Sequence, residues 1–167
     1  VFASSYYPYW HGSLENLTKV LNYVADTYGK KVLIAETAYP YTSKDTDFYG
    51  NSVSDNSSVP LDYPMTVQGQ AEHVRNVVDL MVNSVHNGIG VFYWEGTWIS
   101  AGGSSWEENS ALWEMHGAGW AASYASEYDP DDAGKYYGGC ACDNQAFFDA
   151  SGKVTGLEFT AIDETVG

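Results

Sequence analysis

Two carboxylates follow apolar runs directly and are the strongest candidates for chemistry in this chain. Glu36 follows Val32–Ala35, and Glu95 follows Val91–Trp94. A partly desolvated carboxylate among aromatic side chains is the kind of group that glycosidases use as nucleophile or acid. Neighbouring strands lie about 5 Å apart, which would suit a retaining carboxylate pair. Two alternatives stay open: Glu36 is a structural strand-end carboxylate, and Glu95 points outward because it alternates with Trp94.

A second candidate is an acidic loop, Asp45–Asn51, with oxygen-bearing side chains at alternate positions and Gly50 at the sixth. This pattern is typical of a calcium-binding loop. The twelfth position would be Asn56 instead of the bidentate glutamate of an EF-hand, which excludes that motif. A loop completed by ligands from elsewhere in the chain and a plain solvated loop both remain open.

The two cysteines, Cys140 and Cys142, are separated by one residue. That spacing is too short for an unstrained disulfide. They could be free thiols, a strained pair or half of a metal site. None of the four histidines lies at a ligand-like spacing to them, which disfavours zinc. The sequence carries no G-x-S-x-G, H-E-x-x-H or Walker A motif.

Composition narrows the class of partner. The chain of 167 residues has 7 Lys+Arg and 22 Asp+Glu, for a formal charge of −15. So acidic a chain lacks the basic face that nucleic acid or anionic membrane requires. Its apolar runs are far shorter than the ~20 residues of a membrane span. With 14 Tyr, 6 Trp and 6 Phe, the chain suits a neutral polar ligand with flat faces, above all a sugar.

Strands and helices alternate in the first part of the chain. Phe2–Trp10 predicts an aromatic strand, and Ser13 is a good N-cap for a helix that ends at Gly29. Val32–Ala35 predicts a strand buried in a parallel sheet. The polar segment Thr37–Pro64 is longer than ordinary connections, which indicates a functional or ion-stabilised loop.

A second helix is predicted from Thr66 to Asn87, followed by a strand over Ile89–Trp94. The apolar face of this helix consists of Val67, Ala71, Val74, Val77, Val78, Met81, Val82 and Val85. Little periodicity follows Glu95 until Leu157–Ile162, where a last short helix is predicted.

Alternating strands and helices predict an α/β fold with a parallel sheet. Three βα units are too few to close a barrel, so the chain is either an open sheet or the last part of a (β/α)8 barrel. Because Val1–Tyr6 already has the character of a buried strand, we expect a fragment of a longer protein.

Four segments together carry a specific resemblance that covers nearly the whole chain in order. They are Ala3–Trp10, Val32–Thr37, Gly88–Glu95 and Ala133–Gln145. In these segments the chain closely resembles the endo-β-1,4-galactanases of glycoside hydrolase family 53, bacterial branch. The resemblance implies a clan A (β/α)8 barrel, with the three strands similar to strands 6, 7 and 8 and long loops after strands 7 and 8.

The same resemblance assigns catalytic roles. Glu36 matches the family's nucleophile, at the end of the seventh strand. The family's acid/base is a glutamate after the fourth strand, so it would lie outside this chain, and Glu95 is not its equivalent. Residues 1–167 are thus expected to be the C-terminal part of one catalytic domain that lacks its N-terminal half. The chain alone is expected to be inactive.

The resemblance also implies a structural Ca2+ that ties two loops together. The expected ligands are Asp45, Asp47, the Tyr49 carbonyl and Asn51 on one side, with the Cys140 carbonyl and Asp143 on the other. The family often has His where Tyr49 stands and Ser where Cys140 stands, which only backbone ligation tolerates. Such a tie makes physical sense, since long loops are costly in entropy to hold in register.

For the sugar, the resemblance makes Trp94 a platform beside the cleaved bond and places Tyr7, Tyr9 and His11 at the mouth of the preceding strand. One of the two tyrosines is expected to hydrogen-bond the nucleophile, and we favour Tyr7. Three further tryptophans are either additional platforms or loop core: Trp98, Trp106 and Trp113.

The resulting hypothesis is a secreted, retaining endo-β-1,4-galactanase that acts on type I arabinogalactan and pectin side chains and is monomeric when intact. Two other interpretations remain open. One is a different clan A hydrolase of mannan, xylan or glucan. The other is a non-catalytic carbohydrate-binding fragment.

Overall fold

Three parallel strands, in the order β1-β2-β3, form the centre of the fold. The computed structural model describes residues 1–55, 57–100, 105–116, 123–127, 130–131, 133 and 140–156. The strands are β1 (Phe2–Ser5), β2 (Val32–Thr37) and β3 (Gly88–Tyr93), and the helices are α1 (Pro8–His11), α2 (Leu14–Tyr28), α3 (Val67–Asn83) and α4 (Trp106–His116). The predicted alternation and the parallel pairing are confirmed.

The helix α2 has the caps that its sequence predicts. Ser13 Oγ accepts a hydrogen bond from the Asn16 amide at 3.2 Å, and Gly29 ends the helix in the left-handed region at φ 59°. Its buried side chains are Leu17, Leu21 and Ala25, which join Val32 and Ile34 of β2 in one apolar core. Local capping and the packing of one apolar stripe therefore position this helix.

The first strand is shorter than predicted. The strand expected over Phe2–Trp10 ends at Ser5, and the aromatic segment turns into α1 at Pro8. Proline fits the first turn of a helix because it has no N–H to leave unpaired and its φ is already helical. This turn places the aromatic side chains at the carboxyl end of the sheet.

Other boundaries also differ from the predictions. The strand β2 continues through Glu36 to Thr37, so Glu36 lies within the last residues of the strand. The helix α3 ends at Asn83 instead of Asn87, because its C-cap Ser84 leaves the helical conformation at φ −123°, and Asn87 then adopts a left-handed φ of 55° just before β3. The sequence pattern missed α4, whereas the helix predicted over Leu157–Ile162 lies outside the described residues.

The buried side of α3 is more polar than predicted. Gln70 and His73 are almost completely buried, together with Val77 and Met81. By contrast Val82, assigned to the apolar face from the sequence, is 71% exposed. The helix is thus rotated so that two polar side chains point toward the carboxyl ends of the strands, where they find hydrogen-bond partners.

His73 gives the fold a testable pH dependence. Its Nε2 lies 2.9 Å from Thr37 Oγ1, its ring stacks on Tyr39, and burial lowers its pKa to about 4 from 6.5. An unfolded histidine takes up a proton below pH 6.5 and the folded one does not until about pH 4, so acid favours unfolding across that interval. We therefore expect the free energy of unfolding of the full-length protein to fall by about 3 kcal/mol between pH 6.5 and about 4 because of His73.

Urea unfolding at several pH values between 7 and 4 measures this loss. In the neutral variant His73→Gln, the free energy of unfolding should fall less steeply as the pH is lowered than in the wild type. The exposed-site control His86→Gln should have the same slope as the wild type. Equal slopes for His73→Gln and wild type would contradict the assignment.

No helix among the described residues has the length and apolar character needed to cross a membrane.

Candidate active site and cation site

Glu36 and Tyr7 meet at the carboxyl end of the sheet. Tyr7 Oη donates a hydrogen bond to Glu36 Oε2 at 3.0 Å, as the resemblance led us to expect. The backbone fixes this geometry, because the Tyr6 amide donates to the Glu36 carbonyl at 2.8 Å where β1 ends. The half-buried carboxylate of Glu36 is therefore oriented by Tyr7, which lies in the segment directly after the neighbouring strand β1.

The hydroxyl of Tyr7 is protonated and donates a hydrogen bond to Glu36. Burial raises its pKa, and the hydrogen bond and charge of Glu36 raise it further. The phenol is therefore protonated at neutral pH and can donate to the Glu36 carboxylate. Three rings of the same segment surround it: those of Tyr9, Trp10 and His11, with centroids 5.3 to 6.0 Å away.

Glu95 follows β3 at the same end of the sheet as Glu36, and the outward orientation of its side chain considered from the sequence stays a prediction. Burial raises the pKa of Glu95, and the negative charge of Glu36 raises it further. Glu95 adopts a left-handed φ of 57°, which ends the strand pleat, so alternation with Trp94 does not fix the direction of its side chain. The charge of Glu95 also acts on Tyr7.

The aromatic residues at this end divide into exposed rings and buried anchors. Trp94 is 43% exposed and its amide donates to the Thr37 carbonyl, so its position relative to β2 is fixed. Tyr9 is buried, and its hydroxyl donates to Gln145 Oε1 at 2.9 Å. His11 Nδ1 accepts from the Tyr7 amide at 2.9 Å. The substrate-binding roles of these three residues and Tyr7 remain predictions.

Trp10 is an exposed ring that the site prediction did not include. It is 60% exposed and packs edge-on against Tyr9, with centroids 4.9 Å apart. The signal was available, since Trp10 closes the aromatic run Tyr6–Trp10. Only the turn at Pro8, however, shows that Tyr9 goes inward and Trp10 outward.

A buried amide, Gln70, connects α3 to the carboxyl ends of β2 and β3. Its Nε2 donates to the carbonyls of Tyr39 and Gln145 at 2.9 and 3.0 Å, and lies 3.0 Å from Tyr93 Oη. Tyr93 Oη in turn donates to the Gln145 carbonyl at 2.8 Å. This network holds the 143–145 segment, and with it Tyr9, against the sheet. The sequence gives no local signal for it.

Three aspartates from distant parts of the chain converge on one point. Side-chain oxygens of Asp45, Asp47 and Asp143 all lie within 4.8 Å of one another. Burial raises the pKa of Asp47, and the charges of Asp143 and Asp45 raise it further, although the amides of Tyr49 and Cys140 lower it. Like charges this close repel one another unless a cation lies between them.

Unpaired oxygens at the same place fit a hard cation. Asp143 Oδ1 and Asn51 Oδ1 are buried and accept no hydrogen bond. Asp143 Oδ2 accepts hydrogen bonds from Ser100 Oγ at 2.6 Å and from Thr46 Oγ1. Oδ1 of the same carboxylate has no donor. Buried acceptors without donors are costly, and a Ca2+ ion binds such oxygen ligands.

The two remaining predicted ligands lie beside this cluster. The Tyr49 amide donates to Asp47 Oδ1 at 2.7 Å, and the Cys140 amide donates to Asp47 Oδ2 at 2.9 Å. Both backbone segments therefore meet at one carboxylate, with the Tyr49 side chain exposed. The use of their carbonyls as ligands stays a prediction.

The further tryptophans differ in environment. Trp106 packs edge-on against Phe48 at a centroid distance of 5.9 Å, which is the contact of a loop core. Trp98 is 54% exposed. The side chain of Trp113 lies outside the described part of the structure.

Comparison with known proteins gives the relationships of this chain. Residues 1–158 match the family model of glycosyl hydrolase family 53. The chain is 58% identical to an endo-β-1,4-galactanase of Bacillus subtilis strain 168, over 91% of this chain and 35% of that protein. It is 35% identical to an arabinogalactan endo-β-1,4-galactanase of Cellvibrio japonicus strain Ueda107, over 66% of this chain and 31% of that protein.

Solved structures agree on the fold. The Ignisphaera aggregans GH53 catalytic domain superposes with a TM-score of 0.65 at 29% identity, covering 93% of this chain and 36% of that one. A fungal β-1,4-galactanase structure gives a TM-score of 0.56 at 21% identity over 93% of this chain and 35% of that one. The three parallel βα units are thus a portion of a (β/α)8 barrel. The chain spans about a third of the length of these relatives.

Proposed function

The chain belongs to glycosyl hydrolase family 53, and on this basis we propose that the protein it forms part of is a secreted, monomeric endo-β-1,4-galactanase. Its substrate would be the β-1,4-galactan of type I arabinogalactan and pectin side chains. Residues 1–167 would be the C-terminal part of one catalytic domain. The observation that carries the proposal is Glu36, held by Tyr7 at the carboxyl end of β2, with the exposed ring of Trp10 packed edge-on against Tyr7.

In the proposed retaining mechanism Glu36 is the nucleophile. Its carboxylate attacks the anomeric carbon, the glycosidic C–O bond breaks, and an acid glutamate outside this chain protonates the leaving oxygen. Water activated by the same glutamate then cleaves the galactosyl ester and frees Glu36. Tyr7 orients the attacking carboxylate, and Trp94 offers an exposed face for the C–H side of the galactose.

We further propose that a structural Ca2+ joins the loop that follows β2 to the segment around residues 140–143. The side chains of Asp45, Asp47, Asn51 and Asp143 would hold it, together with the carbonyls of Tyr49 and Cys140. The orphaned oxygens of Asn51 and Asp143 support this assignment. The ion would supply positive charge among the carboxylates and take no part in bond cleavage.

Reducing-sugar release from β-1,4-galactan, with mannan and xylan as controls, tests the function. The full-length protein and this chain alone should each be assayed with and without Ca2+. We expect activity in the full-length protein only, and on galactan only. Faster release from mannan or xylan would indicate another β-glycanase. Galactan binding without cleavage by the full-length protein would indicate a binding protein, and activity of this chain alone would place both catalytic carboxylates within it.

Tyr7→Phe tests the orienting hydrogen bond. Loss of one hydrogen bond to a charged group costs about 1.5–3 kcal/mol, so kcat on galactan should fall roughly 10- to 150-fold. KM should change little, because Tyr7 touches the reacting carboxylate. Steady-state kinetics of the full-length variant give both values, with the exposed Tyr23→Phe as control. An unchanged kcat would remove Tyr7 from the mechanism.

A further inference from the structure

Cys140 and Cys142 bring their sulfur atoms close together although only one residue separates them. The two Sγ atoms are 3.3 Å apart, and both are free thiols with half-buried side chains. A disulfide requires about 2.05 Å between the sulfurs, so closure needs a movement of only ~1.2 Å. The thiols are thus already in contact before any bond forms.

The backbone holds this arrangement at all three residues of the segment. The Cys140 amide donates to Asp47 Oδ2 at 2.9 Å, and the Ala141 carbonyl accepts from the Ser52 amide at 2.8 Å. The Cys142 carbonyl accepts from the Gln145 amide at 2.9 Å. The contact between the sulfurs therefore rests on three separate anchors and not on a flexible loop.

The surroundings favour redox chemistry over metal binding at these sulfurs. Within the described residues, the one group of three or more metal-type side chains is the aspartate cluster, and neither thiol belongs to it. A thiophilic ion such as zinc needs about four ligands, whereas this site offers two. Two thiols in contact without further ligands are instead the substrates of thiol–disulfide exchange.

We propose that Cys140 and Cys142 form a dithiol site that low-molecular-weight disulfides oxidise to an intrachain disulfide. One cysteine thiolate attacks a sulfur of the small disulfide, forms a mixed disulfide and releases one small thiol. The second cysteine then attacks its partner's sulfur, closes the Cys140–Cys142 bond and releases the other small thiol. The two cysteines lose two electrons and two protons, and the small disulfide becomes two thiols.

The spacing makes this bond reversible. A disulfide across one intervening residue is strained, and strained disulfides have more oxidising potentials than structural ones. The pair is therefore expected to exchange with small thiols in both directions, which sets it apart from a permanent cross-link. This inference is independent of the proposed galactanase activity, since its test reads sulfur chemistry alone.

The test equilibrates the native full-length protein with glutathione buffers of increasing disulfide content, followed by acid quenching, alkylation and trypsin. The tryptic peptide of residues 136–153 carries both cysteines. In the oxidising buffers we expect this peptide to be two hydrogens lighter than its reduced form and to carry no glutathione. The native protein should form this species at least about tenfold more readily than the denatured chain, because the fold holds the two thiols together.

Single variants provide the matched controls. Cys140→Ser and Cys142→Ser each leave one thiol, which should accumulate as a mixed disulfide with glutathione. A wild-type peptide that carries two glutathione groups would overturn the proposal. So would a native protein that closes the bond no more readily than the denatured chain, a comparison that does not depend on the variants folding.

Discussion

Glu36→Gln should reduce galactan hydrolysis by the full-length protein at least about a thousandfold, equivalent to ~4 kcal/mol of transition-state stabilisation. Glutamine has the shape of glutamate and can still accept from Tyr7, but it cannot attack the anomeric carbon. The fold should remain intact, because Glu36 is only half-buried and its backbone carbonyl makes the strand contact. Initial rates and a thermal melt of the same preparation measure both effects.

The exposed-site variant Glu15→Gln, whose partner is Lys19 on the surface of α2, controls for the substitution itself. It should keep wild-type activity. Retention of even a tenth of the wild-type rate by Glu36→Gln would show that Glu36 is not the nucleophile.

Azide can identify the role of Glu36 directly. In Glu36→Ala, azide should enter the vacated space and restore turnover of an aryl β-galactoside substrate, because the aryl group leaves without acid assistance. Attack from the nucleophile's face inverts the anomeric carbon, so the product should be an α-galactosyl azide. A β-azide would instead assign Glu36 as the acid/base, and Glu95, which shares this end of the sheet, would then become the candidate nucleophile.

Removal of Ca2+ should lower the melting temperature of the full-length protein by about 3–5 °C. An ion present at a hundred times its Kd stabilises the folded state by ~2.7 kcal/mol. Because this chain covers 35% of the length of its Bacillus relative, the full-length protein has a large unfolding entropy, and each kcal/mol corresponds to about 1–2 °C. Chelation leaves three close carboxylates without a counter-charge, which adds repulsion to the lost binding energy. Melts in excess Ca2+ and in excess EDTA measure the difference.

Asp143→Asn sharpens this test. It should abolish the difference between Ca2+ and EDTA, and its melting temperature in EDTA should equal or exceed that of the wild type because one of three like charges is gone. Asp55→Asn, an exposed position in the same long loop, should keep the full Ca2+ response. A wild-type protein with the same melting temperature in Ca2+ and EDTA would contradict a structural ion here.

Local sequence was sufficient for the order of the three strands and the two long helices, though not for α1 and α4, and for the main candidate catalytic group. Ser13, Gly29 and the run Val32–Ala35 predicted a helix and a buried strand, because capping and apolar periodicity act over a few residues. Position after that run also singled out Glu36 as the residue to expect at the carboxyl end of a parallel sheet. The alternate oxygens of Asp45–Asn51 indicated half of a cation site for the same reason.

Tertiary structure alone decided which distant groups meet. Asp143 joins Asp45 and Asp47 across nearly a hundred residues, and no local pattern carries that contact. Gln70 is buried on a helix face that periodicity assigned to valines, because its amide satisfies three carbonyls from two other segments. Glu95 leaves the strand pleat through one positive φ, a backbone conformation that depends on how the chain leaves β3. Sequence thus determined the three strands and the two long helices, whereas packing and hydrogen-bond satisfaction between segments determined which side chains meet at the carboxyl end of the sheet.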